Sequence, residues 1–131
     1  VTIQPKEHLD GTKGKIIITN YLGGNYFFTS DEVELNNKEI QLIEAKHTKE
    51  DKLPSLGDIK DGLLKMILFT NIEDVKIAKK KFNPIPVLKL TTGKDFKIET
   101  INKPQRIVLG VLKKEAQINK FKILLNKKIL Q

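Results

Sequence analysis

Cysteine and tryptophan are both absent from this 131-residue chain. Without cysteine there is no disulfide framework, thiolate zinc site, iron–sulfur cluster or thiol nucleophile. Arginine is nearly absent: of 24 Lys+Arg residues only Arg106 is arginine, so bidentate readout of guanine edges has one candidate. Aromatic residues reach only 6%, which argues mildly against a platform that stacks the bases of a single strand. No apolar run approaches the roughly 18 residues of a membrane helix, and no signal-peptide layout opens the chain. The two histidines, His8 and His47, lie far apart and only two serines are present, which disfavours a Ser–His triad. No HExxH, EF-hand or dinucleotide fingerprint occurs. Thr91-Thr92-Gly93-Lys94 lacks the upstream glycine and the following Ser/Thr of a phosphate loop, and reads as a turn.

What is abundant is lysine. The formal net charge is +8, from 24 basic against 16 acidic residues. Such a surplus fits a polyanionic partner such as nucleic acid, or else a solvated lysine-rich surface, and charge alone leaves both open. A hydrophobic fraction of 39% and a charged fraction of 31% are those of a soluble globular domain. Neither linker nor repeat divides residues 1–131, so one domain is expected. The chain starts at Val1 and its only methionine is Met66, which reads as a fragment of a longer chain or a processed form.

The order of elements follows from periodicity. Lys15 to Asn20 is a β-branched run that reads as a strand, closed by Gly23-Gly24. Asn25 to Thr29 reads as extended. Asp31 to Leu35 and Glu39 to His47 read as two strands around Asn36-Asn37-Lys38, which has hairpin-turn chemistry. Ser55 is a candidate N-cap for an amphipathic helix to about Thr70, with Leu56, Ile59, Leu63, Met66, Ile67 and Phe69 at helical spacing. Pro84 to Leu90 reads as a strand with prolines at its start. Pro104 opens a second helix to about Ile118, and Phe121 to Leu125 is a final strand. A meander followed by helix–strand alternation predicts an α/β domain, with a central mixed sheet flanked by helices.

Charges that fall on apolar strand faces carry the functional signal. Asp31 shares a face with Val33 and Leu35, and Glu44 and Lys46 share one with Ile40 and Leu42. A two-residue loop at Asn37-Lys38 makes partner numbers sum to 75 and sets Asp31 opposite Glu44. A loop at Asn36-Asn37 leaves the two acids diagonal, and a three-residue loop separates them. Paired carboxylates at an apolar edge favour a hard divalent cation such as Mg²⁺ between them. With a lysine alongside, the set suits metal-assisted attack of water on a phosphodiester. A salt bridge from Lys46 to Asp31 or Glu44 is the competing reading, and spacing leaves both open.

Thr29-Ser30-Asp31-Glu32-Val33, followed after the hairpin by Glu44-Ala45-Lys46, resembles the PD-(D/E)XK nuclease superfamily, and within it the type II restriction endonucleases. Ser30 stands where the name-giving proline would be. The likeness covers roughly Lys15 to Leu90, in the order acid, ExK, helix, strand. It implies a Mg²⁺-dependent endonuclease cutting double-stranded DNA in the prokaryotic cytoplasm. Asp31 and Glu44 would be metal ligands, the main-chain carbonyl of Ala45 would complete the site, and Lys46 would be the catalytic lysine. Duplex cleavage implies a homodimer, and no membrane partner is expected. Repair or junction-resolving nucleases share the core, and a non-catalytic DNA-binding module could retain it. The resemblance also calls for a helix before the first strand, reduced or missing here, with Glu7 the upstream acid. Lys60 reads either as a phosphate contact or as a solvated lysine, and His47 as a packing or surface residue. Lys79-Lys80-Lys81, Lys113-Lys114 and Lys127-Lys128 are basic runs able to track a DNA backbone.

Overall fold

Asn37 and Lys38 turn the chain between β3 (Asn25–Asn36) and β4 (Glu39–His47). Asn37 adopts a φ of 52°, left-handed geometry that asparagine tolerates in a hairpin. The two-residue loop fixes an antiparallel register with Asn36 opposite Glu39, Val33 opposite Leu42 and Glu32 opposite Ile43, the register summing to 75. The computed structural model describes the backbone of residues 2–5, 12–19, 25–72, 75–77 and 80–130, and the side chains of 30–72 and 81–130. The expected Gly23-Gly24 turn, Glu7 and His8 lie outside the described residues.

The two extended segments expected before the hairpin are one 12-residue strand. The first half of β3 pairs with β2 (Thr12–Thr19), which pairs in turn with β1 (Thr2–Pro5). After β4, Ser55 caps α1 (Leu56–Thr70) by accepting the Asp58 N–H at 3.1 Å. The helix carries the chain over to β6 (Lys80–Thr91), which lies parallel to β4 with Glu44 beside Leu88 and Lys46 beside Leu90. β5 (Val75–Ile77) pairs antiparallel with the start of β6.

Because β6 starts before Pro84, the prolines sit inside the strand and not at its opening. The Asn83 N–H donates toward the hairpin, to the Lys38 carbonyl at 2.7 Å. Pro84 and Pro86 therefore turn their missing donors to the other edge, ahead of Val87, where pairing with β7 (Lys122–Leu125) begins. A 3-10 turn (Ile98–Thr100) precedes α2 (Lys103–Asn119), capped by Asn102 and ended by Lys120 in the left-handed region. β8 (Lys128–Ile129) folds back on β7.

The sheet order is β4-β3-β2-β1-β5-β6-β7-β8, and β4 also pairs with β6, so six strands close into a ring of pairings. The strands with described side chains, β3, β4, β6, β7 and β8, form a mixed sheet of an α/β domain. Both helices lie on the same face of it. Ile59, Met66 and Phe69 of α1 and Leu109, Leu112 and Ala116 of α2 share one core with Leu42, Leu88, Leu90, Ile123 and Leu125. Gly62 is where α1 comes closest, since a Cβ there would meet Leu88 Cδ1 at 2.5 Å. Among the described residues, flanking by helices is thus one-sided: Ile43 and Val87, on the opposite face, are buried outside this core. Leu56 and Ile67, expected on the buried stripe of α1, are exposed. Among the described residues no helix is long and apolar enough to cross a membrane.

Candidate active site

Ladder pairing between β3 and β4 ends at Glu32 opposite Ile43. Ser30, fully buried, makes the departure possible: its hydroxyl lies 2.6 Å from the Glu32 carbonyl and 3.0 Å from the Ile43 carbonyl, and can donate to either. At the next position Asp31 replaces a backbone acceptor with its side chain. The Ala45 N–H donates to Asp31 Oδ2 at 3.0 Å.

That exchange brings Asp31 against Glu44. Carrying the register one step further sets the two residues opposite each other, and their carboxyl groups are hydrogen-bonded. Glu44 is only 5% exposed. Its pKa is pushed up to about 7, first by burial, then by the hydrogen bond to Asp31 and by that residue's charge. Two lysines oppose the rise, Lys65 more than Lys46. Lys65 reaches from α1, with Nζ 3.9 Å from Glu44 Oε2 and 5.9 Å from the centroid of the Phe69 ring.

Lys46 is half-buried and shares the strand face of Glu44. Among the described residues it makes no ion pair with Asp31 or Glu44, so the salt bridge that spacing left open is not formed. Lys65 is the cation that sequence reading passed over. Its signal was a lysine between Gly62 and Phe69, on the flank of the buried stripe of α1. Lys60 is exposed on α1, and it is Lys65 that comes within ion-pair range of Glu44.

The other candidates fall elsewhere. His47 is exposed and its Nδ1 lies 2.7 Å from Thr91 Oγ1. Gly93 belongs to a turn packed on the loop after β4: its N–H donates to the Glu50 carbonyl at 2.8 Å, and a Cβ would strike Asp51 and the Lys49 carbonyl. It is no phosphate cradle. Lys127 and Lys128 follow β7 at the end of the sheet that bears Glu44 and Lys46. Lys49, Lys52, Lys94 and Lys97 are exposed in loops there as well, interleaved with Glu50, Asp51, Asp95 and Glu99, so no single-sign field covers that end. Lys81 and Lys114 are exposed and Lys113 is half-buried, while the side chains of Lys79 and Lys80 lie outside the described residues.

The donor set fits a hard divalent cation in one respect. Two carboxyl groups in contact, one holding its proton to about pH 7, form a pair from which a cation can displace that proton. The Ala45 carbonyl leaves the strand on the same edge as the N–H that binds Asp31. Among the described residues no group of three or more His, Cys, Asp or Glu side chains converges, so a cation here has two carboxylates and main-chain or solvent oxygens to bind. No protein-family model, curated protein or solved structure matches the chain.

Proposed function

We propose that the protein is a Mg²⁺-dependent endonuclease of the PD-(D/E)XK kind, related to restriction endonucleases, that hydrolyses phosphodiester bonds of double-stranded DNA. The observation that carries this reading is the contact of Asp31 with Glu44, with the half-buried Lys46 on the strand face of Glu44, at the carboxyl end of a strand, where α/β sheets hold their ligands.

Each residue has a task in it. Asp31, held by the Ala45 N–H, and Glu44 hold the cation together with the Ala45 carbonyl. The bound metal supplies charge neutralisation at the phosphate and a more acidic water. Lys46 orients that water through its ammonium group. Lys65 favours the ionised form of Glu44 that metal binding requires. In that reaction a water oxygen would bond to phosphorus as a bridging P–O bond breaks, the water's proton would pass to solvent, and the departing sugar oxygen would take up a proton from solvent.

Plasmid cleavage with Mg²⁺ tests the proposal. Wild-type protein is expected to nick or linearise DNA, while Asp31→Ala and Lys46→Ala lose cutting and keep salt-sensitive binding. Equal cutting by Lys46→Ala overturns the assignment. Binding without cutting by the wild type overturns it in favour of a non-catalytic module.

A further inference from the structure

Lys89 and Glu32 form an ion pair, with Nζ 3.2 Å from Oε1, between two strands that are not joined to each other. Glu32 of β3 is opposite Ile43 of β4, and Lys89 of β6 is beside Ala45 of β4, so the bridge crosses β4. It does so on the face away from the helices, since Leu88 and Leu90, on either side of Lys89, belong to the core under α1 and α2. Alternation sets the side chain of Ala45 on the same face, where a methyl group leaves the crossing open.

Backbone pairing lapses on both edges of β3 at this point. Toward β4 the ladder stops at Glu32. Toward β2 the register passes from Gly14 opposite Ser30 to Thr12 opposite Val33, so Asp31 and Glu32 together face Lys13 alone. Two residues against one make a β-bulge, a device that re-aims side chains next to functional sites. A segment that leaves the ladder on both edges needs other ties to hold a cation ligand in place. The Ser30 hydroxyl, between the Glu32 and Ile43 carbonyls, and the Ala45 N–H, on Asp31 Oδ2, supply two. The Glu32–Lys89 bridge is a third, and of these it is the one that reaches past β4 to β6.

We propose that Lys89 is a positioning residue of the acid pair: through Glu32 it pins the bulge from the reverse face of the sheet and so sets Asp31 against Glu44. The inference rests on the cation-binding reading of those two carboxyl groups. Glu44 faces α1, where Lys65 meets it, so the bridge and Glu44 lie on opposite faces of β4 and neither Glu32 nor Lys89 is asked to touch the cation. With side chains 36% and 28% exposed, the bridge adds little to global stability. Its consequence is local, as it is for the outer partners that orient metal ligands elsewhere.

Mg²⁺ titrations of the 131-residue chain at pH 8, read by plasmid nicking and, without DNA, by the rise in melting temperature, test this. Lys89→Met and Glu32→Gln are each expected to raise the half-saturating Mg²⁺ concentration about tenfold, with the metal-free melting temperature nearly unchanged. Lys89→Arg, which keeps the charge and the reach, should recover most of the Mg²⁺ affinity. The double variant Glu32→Gln/Lys89→Met should need no more Mg²⁺ than either single one, because both changes remove the same bridge. Wild-type Mg²⁺ dependence in the two single variants overturns the inference and leaves the nuclease reading standing. Additive losses in the double variant overturn it as well, since they give the two residues separate contacts with metal or phosphate. A wild type with no Mg²⁺ response in either readout overturns the nuclease reading, and this inference with it.

Discussion

Asp31 lies carboxyl to carboxyl with Glu44, while Asp31 Oδ2 accepts the Ala45 N–H at 3.0 Å, so the strand that carries Glu44 also fixes its partner. Two acids in contact, one of them buried and the other half-buried, conflict unless a proton or a cation lies between them. The fold therefore stores an electrostatic cost that a bound divalent cation would relieve.

The first prediction follows from its sign. Glu44 is raised from 4.5 to about 7, so between these values the folded protein keeps a proton that the unfolded chain has released. Stability is fully present below about pH 4.5 and falls as pH rises toward 7, by at most about 3 kcal/mol. Mg²⁺ should raise the melting temperature strongly at pH 8 and little at pH 5, and Glu44→Gln should remove both the pH slope and the Mg²⁺ response. An equal Mg²⁺ response in wild type and Glu44→Gln counts against the site.

Much of this arrangement was legible because hairpins are arithmetically strict. Once Asn37-Lys38 is a two-residue turn, alternation alone sets Asp31 against Glu44. Helix ends were legible too, since Ser55 and the Pro104 region have cap chemistry. Ser30 was not: at a position defined by a proline its hydroxyl looked incidental, and only the parting of β3 from β4 gives it two carbonyls. Lys65 was hidden because a helix read for its apolar positions passes over a lysine on their flank. β1, β5 and β8 are two to four residues long, too short for any period to register.

Two glycines should respond oppositely to the same change. Gly62→Ala places a methyl group 2.5 Å from a terminal carbon of the fully buried Leu88, beside Glu44, and should cost about 1–3 kcal/mol by overpacking. Gly110→Ala meets open space on the exposed face of α2 and should gain about 0.5–1 kcal/mol from helix propensity. Urea denaturation of the two variants at one protein concentration checks the signs.

Ser30→Ala should destabilise by about 1 kcal/mol through the lost buried hydrogen bond. Its effect should extend to the site, because the hydroxyl ties the strands beside Asp31. A weaker Mg²⁺-induced rise in melting temperature at pH 8 is expected as well, and loss of stability with an unaltered Mg²⁺ response would separate Ser30 from the acid pair.

The two lysines around Glu44 should be separable by pH. Lys65 lowers the Glu44 pKa from 3.9 Å away, and its removal lets that pKa climb above about 7. Lys65→Met should therefore lose DNA cutting at neutral pH and regain most of it in alkaline buffer, where Glu44 ionises unaided. Lys46 also lowers Glu44, though less than Lys65 does, and its proposed task is to orient water. Alkaline buffer cannot restore an ammonium group that is missing, so Lys46→Met should stay inactive across the range. Measuring plasmid nicking against pH for both variants, with saturating Mg²⁺, distinguishes an electrostatic helper from a group in the reaction. Parallel pH profiles for the two would remove that distinction, and a Lys65→Met profile identical to wild type would mean that the 3.9 Å contact has no bearing on catalysis.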